Sequence, residues 1–169
     1  MHGFAPDDDR LAELILYISG RCADWDEFDP VVLARILFQA DFLHYREYGV
    51  PISGQTYRRG PSGPTPRGLP RVLRGLAREF AILEIPLGDG LHVQRRPAAM
   101  RGARLTIFAA SELAIVEEVM RHYRSTWTPL RESPDFLAID WEATGPREII
   151  PYDWVQMSPV GIGHGAPRY

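Results

Sequence analysis

The chain has 169 residues, 45% hydrophobic, 11% aromatic and 24% charged, with a formal net charge of −3 and a sequence pI near 5.9. That length suits one domain of the usual ~100–200 residues, and the hydrophobic content fills a core, which excludes a disordered chain. One cysteine, Cys22, excludes an internal disulfide and a cysteine-based zinc cluster, and no apolar run approaches the ~20 residues of a membrane span.

The opening MHGFAPDDDR is acidic and lacks an apolar signal core, so a cytoplasmic location is expected. Asp7 to Ser19 reads as a first helix: Asp7, Asp8 and Asp9 suit its N-terminus, and Leu11, Leu14, Ile15 and Ile18 form one apolar face. Gly20 is the expected stop. The acidic loop that follows resembles a calcium loop only in its Asp24, Asp26 and Glu27. Asp29 stands where the glycine is needed and Arg35 where the bidentate Glu belongs, so a solvated loop anchored by Trp25 and Phe28 is the better reading.

Asp29-Pro30 starts the second helix with a cap residue and a proline at the first helical position. It runs to Tyr48 and ends at Gly49. Leu33, Ile36, Leu37, Ala40 and Leu43 make one apolar stripe and Phe38, Phe42 and Tyr45 a second, as expected of a central helix packed on more than one side. Asp41 and His44 lie within it and read as hydrogen-bonded polar groups ahead of catalytic ones.

Pro51 to Tyr57 is expected to be extended, and Arg58 to Pro66 to be a stiff turn. Arg58, Pro61 and Pro64 fit a ligand pattern for SH3-type domains, but Gly60 and Gly63 oppose a polyproline helix. A third helix follows from about Gly68 to Ala81, with Leu69, Val72, Leu73, Leu76 and Phe80 as its buried face. Its other face carries Arg67, Arg71, Arg74 and Arg78. Ile82–Leu87 and Leu91–Arg95 read as a β-hairpin around Gly88-Asp89-Gly90, with Pro86 marking an edge strand. Pro97–Ala103 reads as a loop and Leu105–Phe108 as a short strand. Ser111 is the expected cap of a helix over Glu112–Ser125. Thr128-Pro129 and Ser133-Pro134 start short helices, the second ending near Trp141. Ile149–Trp154 is extended, and residues 158–169 form a flexible tail. The architecture expected is therefore α+β and mainly helical, about five or six helices with a small antiparallel hairpin, in a single domain over residues 1–157.

All nineteen basic residues are arginine, and their placement is uneven. Residues 58–104 hold ten Arg against Glu79, Glu84 and Asp89, a net +7. Residues 1–57 have four Arg against ten acids, −6, and residues 105–169 five against nine, −4. A basic middle between acidic ends pairs within the fold or meets an acidic partner. For the arginine face of the third helix, solvation or pairing with Asp7–Asp9 stands beside docking to an anionic surface. Arg58, Arg59, Arg67, Arg71, Arg74 and Arg78 are the candidate partner-binding residues.

The sequence has no G-x-S-x-G elbow, P-loop or H-E-x-x-H, and its five histidines have no ligand spacing. Gly161-x-Gly163-x-Gly165 lacks the strand and helix of a nucleotide loop. No catalysis, metal or cofactor is expected, and the weaker hypothesis of a hydrolase or transferase would need Asp41, His44 or His122 to meet in a pocket.

One stretch carries more. A helix ending A-D-F-L-H-Y-R-x-x-G (Ala40–Gly49) is followed by P-I-S-G (Pro51–Gly54), T-Y (Thr56–Tyr57) and G-P-x-P-R-G (Gly63–Gly68). This order resembles the Panacea antitoxin domain, also called SocA-like or a GepA-type phage-associated protein. The match continues through an amphipathic helix, a hairpin, Ser111-Glu112, Trp141 and Ile150–Tyr152, covering roughly residues 10–154. On that resemblance Asp41, His44, Tyr45, Gly49, Pro51, Tyr57, Gly63, Pro64, Pro66 and Trp141 are motif positions, with structural roles. The Ser-His that often precedes the late Trp in that family is Ser133-Pro134 here, so no role of that histidine carries over. The acidic lead-in Asp24–Asp29 is also longer. The resemblance implies a cytoplasmic antitoxin that binds and neutralises a small protein toxin, in at least one kind as an adaptor to an ATP-dependent protease. The rival reading is a winged-helix-like nucleic-acid-binding regulator, because helix, helix, strand, basic helix, hairpin is also that order. Against it stand the pI and the lack of base-reading side chains such as Asn on the basic helix.

Overall fold

The computed structural model describes residues 3–87, 94–125 and 135–157. They fold as a mainly helical α+β protein: α1 (Asp8–Arg21), α2 (Pro30–Tyr48), β1 (Tyr57–Gly60), β2 (Gly63–Pro66), α3 (Leu69–Arg78), β3 (Ile82–Leu87), β4 (Gln94–Ala99), α4 (Ala110–Ser125) and α5 (Trp154–Met157). The two strand pairs are separate antiparallel hairpins. Among the described residues no helix is long and apolar enough to cross a membrane.

Helix α2 is central. Its side chains from Val32 to Tyr45 are buried on nearly every face except at Arg35, and it packs on α1, α4, α5 and both hairpins. Its ends follow the sequence. The Asp29 carboxylate accepts the Val32 N–H at 2.9 Å, Pro30 opens the first turn, and Gly49 closes it at φ 76°, a left-handed conformation that suits glycine. Helix α1 is capped by Asp7, which accepts the Arg10 N–H at 2.9 Å, and continues through Gly20 to Arg21 instead of stopping there.

Several expectations are corrected. The segment Arg58–Pro66 is not a bare turn but most of the β1–β2 hairpin, with Tyr57 paired to Pro66 and Gly60 to Gly63. Prolines 64 and 66 have no N–H to give, so the ladder runs through the intervening pairs, Arg58 with Thr65 and Gly60 with Gly63. The other edge of β1 is taken by residues 147–150: Arg59 N–H donates to Glu148 O, Arg147 N–H to Arg59 O and Ile150 N–H to Tyr57 O. Of the expected extended run Ile149–Trp154, only its start is strand-like, since Pro151 leads by a turn into α5.

Helix α3 ends at Arg78, and Phe80 is 77% exposed instead of buried. The second hairpin forms, but its return strand is Gln94–Ala99, so Pro97–Ala99 is strand and not loop. Leu105–Ile107 is a 3-10 turn where a strand was expected. Ala109, not Ser111, holds the cap position of α4, and Glu112 reaches back to its N–H at 2.8 Å. Residues 135–140 are not helical, and Trp141–Ala143 is a 3-10 turn. The glycine turn 88–90, the starts at Thr128 and Ser133, and the tail 158–169 lie outside the described residues.

Candidate functional site

The chain between α2 and α3 is held from inside by one carboxylate. Asp41, 1% exposed, accepts the Ser53 N–H at 2.7 Å, the Ser53 hydroxyl at 2.5 Å and the Tyr57 hydroxyl at 2.7 Å. Burial raises the pKa of Asp41, and those hydrogen bonds work against the rise. Burial, with the Asp41 charge beside it, pushes the Tyr57 hydroxyl well above its ordinary range. Three residues away on α2, His44 Nδ1 lies 2.6 Å from Val50 O, so Nδ1 carries the proton and donates it. Its ring stacks on Tyr48.

Helix α1 closes the elbow from outside. The Asp7 N–H donates to Ser53 O at 3.0 Å and Arg10 Nε to Ile52 O at 2.8 Å. Arg10 also donates to Ile107 O and pairs with Glu112, which ties the elbow to the approach to α4. Gln55 is fully internal. Its amide donates to Asp8 at 3.1 Å, its oxygen accepts the Gly68 N–H at 3.2 Å, and its backbone oxygen accepts the Tyr152 hydroxyl at 2.6 Å. Gly54 sits at φ 65° with the backbone of Ala5 so close that a Cβ would stand 2.5 Å from Ala5 O. Glycine is required there twice over, by conformation and by space.

Motif positions far apart in sequence meet around this elbow. Tyr57, Phe42 and Tyr152 pack together, with Phe42 stacked on Tyr152 at 4.5 Å. Tyr45 donates its hydroxyl to Asp153. Pro51 is buried. Gly63, at φ 121°, presents its Cα side to Trp141, 3.9 Å from where a Cβ would lie. A cavity of about 300 Å³ between Trp141, Gly63, Pro64, Phe38 and Arg35 follows from that packing. Pro66 is buried in β2.

The six candidate arginines divide. Arg59 is used internally: Nη1 donates to Glu142 O at 2.7 Å and Thr144 O at 2.5 Å, and its guanidinium lies 6.0 Å from the Trp141 ring. Arg58 is half-buried, bridged to Ile149, with its Nε buried and unpartnered. Arg67, Arg71, Arg74 and Arg78 are all exposed. Arg71 pairs with Asp8 at 2.6 Å, the cross-fold pairing considered from sequence. Arg67, Arg74 and Arg78 have no ion pair among the described residues.

Asp41, His44 and His122 are not brought together. His122 lies on α4 against Tyr123 and Phe136, and Asp41 and His44 hold different segments of the elbow. Among the described residues no group of three or more His, Cys, Asp or Glu side chains is placed to hold a metal.

Sequence reading missed Gln55, Arg10 and Glu13. Glu13, 1% exposed, accepts from Arg101 Nη1 and Nη2 at 3.0 and 2.9 Å, and from Arg104 N and Nε at 2.7 and 3.1 Å. The Arg101 hydrogen bonds are the main reason its pKa falls from 4.5 to about 2. It sits beside Leu14 and Ile15 in the apolar run, with no local signal of its distant partners. Comparison with protein-family models, with curated proteins and with solved structures finds no match.

Proposed function

We propose that this chain is a Panacea-type antitoxin: a rigid cytoplasmic scaffold that binds a small protein toxin and neutralises it without chemistry of its own. The observation that carries the reading is the convergence of the motif residues on one packed elbow. The A-D-F-L-H-Y-R-x-x-G helix end, P-I-S-G, T-Y, G-P-x-P and the late Trp141 touch through Asp41, Ser53, Tyr57, Gly63 and Tyr152. Residues so engaged are a frame; the contacts to a partner fall to the exposed arginines and the hairpin. Co-expression with the product of the adjacent gene tests this. The expected result is rescue of cells from that product and a complex that survives gel filtration. The absence of both rescue and a complex refutes the reading. Blocking and delivery to an ATP-dependent protease are told apart by the toxin's half-life, unchanged or lengthened in the first case and shortened in the second.

A nucleic-acid regulator is the second reading. It is favoured by one feature, three exposed arginines (Arg71, Arg74 and Arg78) on a helix that leads directly into a hairpin, with exposed Arg67 just before it. Titration of duplex DNA decides: affinity that falls steeply with salt supports it, and no binding at low salt removes it.

A further inference from the structure

We propose that the junction of α3 and β3 is a docking surface for an acidic, amphipathic segment of a protein partner, anchored by Phe80. The inference rests on the antitoxin reading and names the face that does the binding. Eight large hydrophobic side chains are exposed among the described residues, and four of them, Phe80, Leu83, Ile85 and Met100, belong to the turn after α3, to β3 and to the residue that follows β4. Leu83 and Ile85 alternate along β3, on the face opposite buried Ile82. Met100 adjoins them, because its N–H donates to Ala81 O at 2.8 Å.

Phe80 is held outward by the backbone. Its N–H donates to Ala77 O at 3.1 Å and the next N–H, of Ala81, to Leu76 O at 2.9 Å. These are the two bonds of a Schellman helix end, and φ at Phe80 is 55°. Glycine ordinarily fills that place, because a bulky side chain is strained there. The fold therefore carries strain at the one residue whose ring it leaves 77% exposed. Backbone strain combined with an unburied aromatic is a pattern of binding sites.

Charge selects the occupant. Arg74 and Arg78 are exposed, lie on one helix face, and have no ion pair among the described residues; Arg78 is two residues from Phe80. Over residues 74–87 and 94–100 Arg74, Arg78, Arg95 and Arg96 stand against Glu79 and Glu84, a local +2 on a chain of −3. Leu83, Ile85 and Met100 complement the apolar side chains of a protein segment; stacking of bases would call for a row of flat rings.

The test is calorimetric titration of the full chain with the purified product of the adjacent gene. Phe80→Gly removes the ring and suits the backbone, so the variant melts higher than the native chain while its affinity falls by about tenfold or more. Arg74→Glu with Arg78→Glu loses about tenfold at low salt, and less as salt screens the pair. Native affinity in Phe80→Gly overturns the surface and leaves the antitoxin reading intact. No binding by the native chain removes that reading and this one together. Loss in Phe80→Gly of duplex-DNA binding or of self-association, with partner binding spared, assigns the face to another occupant and also overturns the proposal.

Discussion

Replacing Asp41 by alanine removes the acceptor of three buried donors: the Ser53 N–H, the Ser53 hydroxyl and the Tyr57 hydroxyl. A buried donor left unpaired costs about 1–3 kcal/mol. The Ser53 hydroxyl can turn elsewhere, but the backbone N–H and the packed phenol cannot. The expected loss is about 2–6 kcal/mol, against a total stability of roughly 5–15 kcal/mol for a single domain. Asp41→Asn keeps one acceptor oxygen and removes a carboxyl that burial disfavours when charged, so it loses less, about 1–2 kcal/mol. Urea unfolding followed by tryptophan fluorescence reads both variants. An Asp41→Ala protein within about 1 kcal/mol of the native one would refute the view that this carboxylate holds the elbow, given the penalty per unpaired donor. So would Asn as damaging as Ala, since charge and not hydrogen bonding would then dominate.

Acid stability depends on Glu13, whose folded pKa of about 2 lies below its ordinary 4.5. The stability it contributes, about 3 kcal/mol, is full above pH ~4.5 and is lost as pH falls through ~2. Urea midpoints taken at several pH values should therefore drop along that limb, and Glu13→Gln should flatten the drop while lowering stability at neutral pH. Gly54→Ala puts a Cβ against Ala5 O in a left-handed backbone; a loss of about 2 kcal/mol or more is expected in the same unfolding assay. Cys22 is buried and its thiol is pushed up to about 12, so alkylation by iodoacetamide at neutral pH should wait for unfolding. Rapid labelling of the native chain would contradict that burial.

The helices were legible because their signals are local. Asp29-Pro30 and Gly49 mark the two ends of α2, and the double apolar stripe told of a helix packed all round. The arginine face of α3 was legible too, since period 3.6 separates it from Leu69, Val72 and Leu76. Phe80 was misread because it continues that apolar period from Leu76, and no glycine announces that the helix stops two residues earlier. The β1–β2 hairpin was hidden by its prolines, which usually argue against a strand; here their missing N–H groups fall at positions that do not face β1. Glu13, Arg10 and Gln55 were not legible at all. Each bonds at least one residue about 40 to 100 positions away, and nothing in a local window marks such a polar group as buried. Arg59 looked like a free cation for the same reason, although its partners are carbonyls some 80 residues on.

Hydrogen exchange on the free protein and on its complex with the adjacent gene product tests the central claim most directly. The account predicts slow exchange at the Ser53 and Ile150 amides in both states, with new protection on binding confined to residues 74–86 and Met100. Fast exchange at Ser53 in the free protein, or a footprint that avoids Phe80 and β3 altogether, would contradict a locked elbow that presents a basic, apolar face.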